Sequence, residues 1–312
     1  MIANWIVNEC QAQNIKRSIN LTELGPGTGK LMKTVLRTIE KFNKVDISKV
    51  NLLDFSSSLK NVQSYELKDD IKVNLIEDLS SIETNNPNFI IANEFLDCFP
   101  VQLFFKEESC WKEILVDLNE DESEFRFVKS KHRTKNEFFY KSFFEENHRR
   151  FIEFCPAAGI IVQKVADIIE KSKEGGALFI DYGHCGEKEE TIRAYKNHEQ
   201  VHVLSDPGNI DITADVDFSF LINSIRNHNP NVQVLGPVSQ AYFLVNMGML
   251  LRMKNIMDKM TNEKDKKLLM DEGDMLVSSS KMGKIFKFLG ILPTREKKSA
   301  GFNPPETGPP GL

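Results

Sequence analysis

The chain has 312 residues, is 41% hydrophobic and 27% charged, and carries a formal net charge of −5 at pH 7. A chain of this length buries about three quarters of the surface of its unfolded form, so one or two globular domains are expected. The acidic balance, with no lysine and arginine stripe between stacking aromatic residues, excludes a nucleic-acid partner. No apolar run approaches the ~18 residues of a membrane-spanning helix.

The five cysteines are scattered along the chain and contain no C-x-x-C pair. This pattern favours a reducing compartment and argues against a disulfide framework or a zinc knuckle, so no metal site is predicted. The first twenty residues contain only two basic side chains, Lys16 and Arg17. No transit peptide is visible in them.

Residues 21–30 predict the end of a strand, a glycine turn and the start of a helix. The spacing excludes a P-loop, because Leu24 occupies the position of its first glycine and Leu31 replaces its Ser or Thr. It also departs from the dinucleotide-binding motif, whose third glycine would stand at Lys30. The spacing therefore matches neither of these two phosphate-binding turns, which indicates a different ligand.

A carboxylate, Glu23, precedes the first glycine of this turn. Phosphates on helix N–H groups would be repelled by a buried carboxylate. S-adenosylmethionine has no phosphate, and its α-ammonium can pair with a carboxylate while its α-carboxylate suits the N–H groups of the turn. We therefore predict that Glu23, Gly25, Gly27 and Gly29 bind this cofactor. The alternative is a turn that needs glycine only for its positive φ.

Polar side chains follow the next three predicted strands as well. Asp54 ends an apolar run about 25 to 30 residues after the glycines, where a βαβ unit places an acid in reach of a ribose diol. Asp78 and Leu79 follow the third strand and are expected at the adenine ring. Asn93 follows the fourth. Each acid alone is also compatible with a solvated loop residue, but ligands in open α/β sheets bind at successive strand ends.

The segment after the fourth strand, residues 101–155, alternates like a β-hairpin with charged turns, where a simpler methyltransferase would have a helix. We predict an inserted lobe there, within a methyltransferase domain of residues 1–294. An amphipathic helix is predicted over residues 157–173, and additional helices follow residue 212. The tail, residues 295–312, is rich in proline and glycine and is predicted to be disordered.

One motif favours a different class of enzyme. His198, Glu199 and His202 match H-E-x-x-H, which requires a helix that presents both imidazoles on one face. The residues Asp206 to Gly208 would end any such helix within a turn. A zinc peptidase is therefore a distant alternative.

Beyond the glycine turn, the chain resembles the MidA-type methyltransferases, whose mitochondrial members are complex I assembly factors that methylate an arginine of a complex I subunit. The matching motifs follow the family's order from near residue 1 to about residue 294. They are residues 23–29, 92–97, 100–102, 111–117, 155–159, 181–184, 211–218, 246–248, 281–283 and 286–289. The resemblance implies a Rossmann-like class I methyltransferase fold with the inserted lobe and additional C-terminal helices.

Family members also carry an N-terminal region, ahead of the glycine turn, that helps to enclose the cofactor. Only about twenty residues precede the turn in this sequence, so we expect most of that region, and any presequence, to be missing. The resemblance implies S-adenosyl-L-methionine as cofactor, a protein acceptor and the mitochondrial matrix. Nothing in the residues predicts an oligomeric state.

Arginine is a demanding acceptor because its guanidinium stays protonated, so a carboxylate has to pair with it and orient one nitrogen. Glu94 is the first candidate, since residues 93–96 resemble the Ser-Glu-x-x loop of other arginine methyltransferases. Asp97 is a second carboxylate, and Asp181 or His184 could take the released proton. The alternatives are a Glu94 that only complements a helix dipole, and an assembly scaffold that keeps the fold without turnover.

Overall fold

The computed structural model describes residues 1–67, 73–108, 110–145, 147–197, 199–295 and 299–303. They divide into two compact units. Unit 1 comprises Met1–Phe95, Val162–Tyr182 and Ile225–Leu312, and unit 2 comprises Leu96–Ile161 and Gly183–Ser224. None of the helices in the described ranges combines the length and the apolar character needed to cross a membrane.

Strands and helices alternate along most of the chain. The strands are β1 (Ile19–Leu24), β2 (Ile47–Leu53), β3 (Val73–Ile76), β4 (Asn88–Asn93), β5 (Gln102–Glu107), β6 (Cys110–Leu118), β7 (Phe125–Arg133), β8 (Phe151–Phe154), β9 (Gly175–His184), β10 (Arg193–Lys196), β11 (Glu199–Val201), β12 (Asp211–Thr213), β13 (Val216–Asp217), β14 (Val232–Ser239) and β15 (Phe286–Pro293). The helices are α1 (Ile2–Ala12), α2 (Lys30–Phe42), α3 (Ser57–Glu66), α4 (Asn136–Phe139), α5 (Lys141–Glu145), α6 (Pro156–Ser172), α7 (Phe218–His228), α8 (Gln240–Asn246), α9 (Met249–Met257), α10 (Glu263–Val277) and α11 (Met282–Ile285).

The sheet of unit 1 has the strand order β14-β15-β9-β4-β1-β2-β3. The pairs among β1, β2, β3, β4 and β9 are parallel, whereas β15 runs antiparallel to both β9 and β14. From β1 the chain moves outward to β2 and β3 and then returns to β4 on the other side of β1. The strand order therefore reverses between β1 and β4, which is where open α/β sheets bind ligands. The predicted Rossmann-like α/β fold is confirmed.

The core of unit 1 follows from the periodicity of its elements. All six residues of β1 are buried, as expected for a central strand. Helix α2 buries Met32, Val35, Leu36 and Ile39, which recur at the three- and four-residue spacing of one helix face. They pack with residues of α1 such as Trp5 in one hydrophobic cluster. This packing holds the start of α2 against the end of β1.

Unit 2 contains two antiparallel sheets, with the strand orders β7-β6-β5-β8 and β11-β10-β12. Phe104, Phe144 and Phe154 are buried and pack against one another with ring centroids 5.2 to 6.2 Å apart, and Phe104 meets the other two edge to face. The short strand β13 pairs with the last residues of β9. The predicted lobe, residues 101–155, lies within unit 2, which also includes residues 183–224.

The tail differs in part from the predicted disorder after residue 294. The Nη2 of Arg295 donates to Oε2 of buried Glu9 at 2.5 Å. The hydroxyl of Ser299 donates to Oε1 of Glu9 at 2.7 Å and accepts from the indole N–H of Trp5 at 3.1 Å. The predicted disorder rests on the proline and glycine content of residues 295–312. The prolines of this tail all lie beyond residue 303, and residues 304–312 lie outside the described ranges.

Replacing Arg295 with Met should lower the free energy of unfolding by about 3 to 5 kcal/mol, because Glu9 would remain as a buried carboxylate without its cation. The side chain of Glu9 is 1% exposed and that of Arg295 is 14% exposed. Urea denaturation followed by circular dichroism would measure the loss.

Two further variants check the cause of that loss. The double variant Glu9→Gln/Arg295→Met should regain most of the stability, since it leaves no unpaired charge. Arg17→Met, which removes a pair with Glu174 whose arginine is 50% exposed, should cost less than about 1 kcal/mol. Equal losses for Arg17→Met and Arg295→Met would contradict the argument.

Candidate functional site

The glycine turn and the loop after β4 are neighbours at the carboxyl edge of the unit 1 sheet. In the parallel register, Leu24 at the end of β1 lies opposite Ala92 near the end of β4. The N–H of Gly25 donates to the carbonyl oxygen of Leu53, the last residue of β2, at 2.9 Å. The ends of three adjacent strands therefore converge on this turn.

The three glycines of the turn adopt positive φ angles of +64° at Gly25, +52° at Gly27 and +84° at Gly29. L-amino acids with a side chain rarely adopt this region. A Cβ at Gly25 would also lie 2.6 Å from Cδ2 of Phe95, whereas one at Gly27 would meet no atom within 4 Å. The backbone at Gly27 is thus open to a ligand, as a cofactor-binding turn requires.

Glu23 is a buried acid without a full set of partners. Its side chain is 2% exposed, and its Oε2 has no hydrogen-bond partner within the described structure. Burial raises the pKa of this carboxyl to about 8, and the N–H of Met32, in the first turn of α2, partly opposes the rise. A ligand with an ammonium group would supply the missing partner, so Glu23 fits the amino-acid end of S-adenosyl-L-methionine.

Asp54 lies directly after β2, and both oxygens of its carboxylate accept hydrogen bonds. Its Oδ1 accepts the N–H of Ser56 at 2.8 Å, and its Oδ2 accepts Nε2 of Gln63 at 2.6 Å. The same Nε2 donates to the carbonyl oxygen of Gly27 at 2.9 Å. Gln63 is the residue that sequence reasoning missed, since a glutamine within α3 carries no signal of its own.

Asp78 and Leu79 stand after β3. Asp78 accepts the N–H of Ser80 on Oδ1 at 2.7 Å, and Lys164 lies 3.3 Å from its Oδ2. The hydrogen bonds from Ser80, followed by Lys164, lower the pKa of Asp78 to about 2. Leu79 is buried at 4% exposure. The predicted adenine contacts of both residues stay predictions.

The loop after β4 places Glu94 in an unusual backbone conformation. Its φ of +48° lies in the left-handed region, which costs a non-glycine residue about 1 to 3 kcal/mol. The N–H of Glu94 donates to the carbonyl oxygen of Ile180 at 2.9 Å, and the side chain is exposed. The preceding Asn93 is half-buried, with its Nδ2 3.4 Å from Oε1 of Glu94.

Asp181, in β9, supports this loop from the neighbouring strand. Its carboxylate is 1% exposed and accepts the N–H of Phe95 on Oδ2 at 3.2 Å and the N–H of Tyr182 on Oδ1 at 3.0 Å. These contacts pin the backbone on the carboxyl side of Glu94. The strain at Glu94 is therefore maintained from β9.

The other two predicted site residues belong to unit 2. Asp97 lies in the short 3-10 turn Leu96–Cys98 and is partly exposed. His184 is buried at 2% exposure, and its Nδ1 accepts the N–H of Gly186 at 3.0 Å. Burial lowers the pKa of His184, so the ring is neutral at physiological pH.

The helix that the zinc-peptidase alternative needs does not form. Glu199 belongs to strand β11, where it pairs with Lys196 of β10 in an antiparallel register. Successive side chains of a strand point to opposite sides, so this segment cannot present its residues as a helix face. His198 lies outside the described residues. The zinc-peptidase alternative is wrong, because pairing with β10 holds the residues from Glu199 in an extended conformation.

Comparison with known proteins adds independent observations. A sequence profile described as "Putative S-adenosyl-L-methionine-dependent methyltransferase" matches residues 1–238. The chain is 33% identical, over 345 residues, to the Rattus norvegicus protein named "Protein arginine methyltransferase NDUFAF7, mitochondrial", and the match covers 100% of the chain and 77% of that protein. The Homo sapiens protein of the same name is 33% identical over 319 residues, covering 94% of the chain and 70% of that protein.

Two crystal structures of proteins of one superfamily from Burkholderia thailandensis share the fold. The first superimposes with a TM-score of 0.77 at 22% identity, covering 96% of this chain and 79% of the other. The second, which is bound to S-adenosyl-homocysteine, gives 0.76 at 23% identity, covering 97% and 76%. The profile match spans most of the chain and the relatives match along nearly all of it. The chain therefore belongs to the family of S-adenosyl-L-methionine-dependent methyltransferases that the profile describes.

Proposed function

We propose that this protein transfers a methyl group from S-adenosyl-L-methionine to an arginine side chain of a protein acceptor, and that Glu94 is the carboxylate that pairs with the acceptor guanidinium. The observation that carries the proposal is the strained φ of Glu94, +48°, at the point where the strand order reverses. Strained residues persist where the surrounding structure over-determines them, and they cluster at active sites. The names of the curated relatives support arginine as the acceptor.

The cofactor end of the proposed site is built from the ends of β1 to β4. When bound, S-adenosyl-L-methionine supplies a methyl group on a positively charged sulfur. Glu23 would pair with the ammonium group of the cofactor, and the N–H groups of the turn, open at Gly27, would donate to the carboxylate of the cofactor. Asp54 is the proposed acceptor for the ribose hydroxyls. Asp78, Leu79 and Asn93 complete the set of residues that we assign to the cofactor.

The acceptor end has to bind a cation and release a proton. A carboxylate pairs with guanidinium through two parallel hydrogen bonds, which orients one nitrogen. Transfer would form the nitrogen–carbon bond as the sulfur–carbon bond breaks, would leave neutral S-adenosyl-homocysteine, and would pass one proton from that nitrogen to water. Both oxygens of Asp181 accept backbone N–H groups, which favours a positioning role over proton acceptance. The roles of Asp97 and His184 stay predictions.

The resemblance to the MidA-type enzymes extends the proposal to the acceptor protein and its compartment. We infer a subunit of mitochondrial complex I as the acceptor, methylated in the matrix during assembly of the complex. The mitochondrial label in the names of the relatives supports the compartment.

Binding of S-adenosyl-homocysteine should strengthen roughly 20- to 30-fold as the pH rises from 6 to 7.5, which is the increase in the ionised fraction of a carboxyl with a pKa of about 8. The pKa of Glu23 is raised to about 8, so at pH 6 the carboxyl has to lose a proton before it can pair with the ligand ammonium. In Glu23→Gln the affinity should be weaker and nearly constant over this range. Isothermal titration calorimetry measures both series, with Gly27→Val as the variant expected to abolish binding.

Ligand-free stability provides a check that needs no cofactor. Because the folded pKa of Glu23 exceeds the unfolded value of about 4.3, its contribution is fully present below pH 4.3 and is lost as the pH rises through about 8. Relative to Glu23→Gln, the wild type should lose on the order of 3 to 5 kcal/mol between pH 5 and pH 9. Parallel pH profiles for the two proteins would contradict the assignment.

Glu94→Gln should slow methyl transfer at least about 100-fold while leaving the affinity for S-adenosyl-homocysteine within about twofold, because it removes the charge that orients the acceptor. Incorporation of labelled methyl groups into a mitochondrial complex I fraction, with mass spectrometry of the modified residues, measures the rate and the product.

The matched control is Glu77→Gln, which changes a carboxylate after β3 whose side chain is 80% exposed. It should retain the wild-type rate. Methylation of residues other than arginine would overturn the acceptor class. Cofactor binding without any methylation would instead support the assembly-scaffold alternative.

A further inference from the structure

Gln63 joins the two loops that hold the amino-acid and nucleoside ends of the proposed cofactor site. Its side chain lies in α3 and is fully buried, with 0% exposure. Its Nε2 donates to the carbonyl oxygen of Gly27 at 2.9 Å and to Oδ2 of Asp54 at 2.6 Å. One amide group thus sets the position of the glycine turn relative to the carboxylate after β2.

The orientation of this amide is determined by its neighbours. The carbonyl oxygen of Gly27 and the carboxylate of Asp54 can only accept hydrogen bonds, so the group between them has to be the –NH₂. Oε1 of Gln63 consequently faces away from both and is buried without a hydrogen-bond partner in the described structure. Two buried acceptors, Oε1 of Gln63 and Oε2 of Glu23, therefore lack partners beside the same turn.

The other buried side-chain polar atoms without a partner, whether donors or acceptors, lie elsewhere in unit 1. Within the described ranges they belong to Asn4, Asn20, Asn88, Gln233 and Arg295. None of these residues is part of the glycine turn, of the loop after β2 or of α3. Buried polar atoms are almost always paired in native proteins. Two unpaired acceptors at one turn are therefore consistent with a site that a ligand with two donor ends completes.

We propose that Gln63 is a positioning residue for the nucleoside half of the cofactor, which it serves by holding Asp54 in the orientation that accepts both hydroxyls of a ribose diol. This inference rests on the proposed function. The N–H of Ser56 fixes only Oδ1 of Asp54, at 2.8 Å, whereas Gln63 fixes Oδ2. A carboxylate fixed at both oxygens has its remaining lone pairs aimed in defined directions. Loss of the contact from Gln63 would leave the carboxylate of Asp54 free to rotate, and the preference of the site for a ligand with the ribose diol would fall.

Three probes test the proposal by calorimetry on the full chain. They are S-adenosyl-homocysteine, 5′-methylthioadenosine, which lacks the amino-acid end, and 2′-deoxy-5′-methylthioadenosine, which lacks one hydroxyl of the diol. The wild type should prefer 5′-methylthioadenosine over its deoxy form by roughly 10- to 100-fold. In Gln63→Met the preference should fall below about threefold, and the Kd of S-adenosyl-homocysteine should rise roughly tenfold. If Gln63→Met fails to fold, Gln63→Leu replaces it, and the same fall in preference and the same rise in Kd are expected.

The matched control is Gln13→Met, which removes a second bridging glutamine. Gln13 donates through Nε2 to the carbonyl oxygen of Gly175 and accepts the N–H of Gly175 on Oε1, both at 2.8 Å. This contact lies at the amino end of β9 and should affect stability while leaving the diol preference unchanged.

The outcomes separate this inference from the proposed function. A Gln63→Met variant that weakens both nucleosides equally, and so keeps the wild-type preference, would show a structural role and overturn the proposal. A wild type that binds S-adenosyl-homocysteine without preferring the diol would overturn the assignment of Asp54 to the ribose and the role of Gln63, and would leave the proposed methyl transfer standing. A folded wild type that binds no S-adenosyl-homocysteine would overturn the proposed function and this inference together.

Discussion

Parallel pairing of β1 with β2 on one side and β4 on the other is the constraint on which the rest of unit 1 depends. The chain can reach both neighbours only by reversing its direction of travel across the sheet, and the reversal leaves a crevice at the carboxyl ends of the strands. The glycine turn after β1 and the loop of Glu94 after β4 border this crevice. Both loops are short, so their backbones take left-handed conformations that neighbouring strands stabilise.

The crevice carries an electrostatic cost that a ligand can remove. Glu23 is buried beside the first turn of α2 and has one oxygen without a partner. The ligand-free protein lowers this cost by holding the proton, as the raised pKa of about 8 indicates. A cationic group would let the carboxylate ionise instead. The same residue that destabilises the ligand-free protein above neutral pH therefore contributes affinity when an ammonium group is bound.

Two side chains far apart in the sequence tie the crevice together. Asp181, in β9, accepts the N–H of Phe95 and so maintains the strained backbone at Glu94. Gln63, in α3, bonds to both Gly27 and Asp54. The sequence marked Asp181 only as a candidate proton acceptor and gave no signal for Gln63, because a glutamine in a helix is common. Their importance follows from which backbone groups they meet.

The sequence by itself determined the α/β class and the position of the glycine turn, because strand periodicity and glycine spacing are local properties. Tertiary structure decided what local pattern could not encode. Arg295 meets Glu9 across 286 residues, which orders part of a tail whose composition predicts disorder. Pairing with β10 makes a strand of the segment that begins at Glu199, although its residues match a helical motif. No window of sequence contains both partners of the contact between Glu9 and Arg295. The pairing of β10 with β11 is local, but a match of residue types to a helical motif takes no account of it.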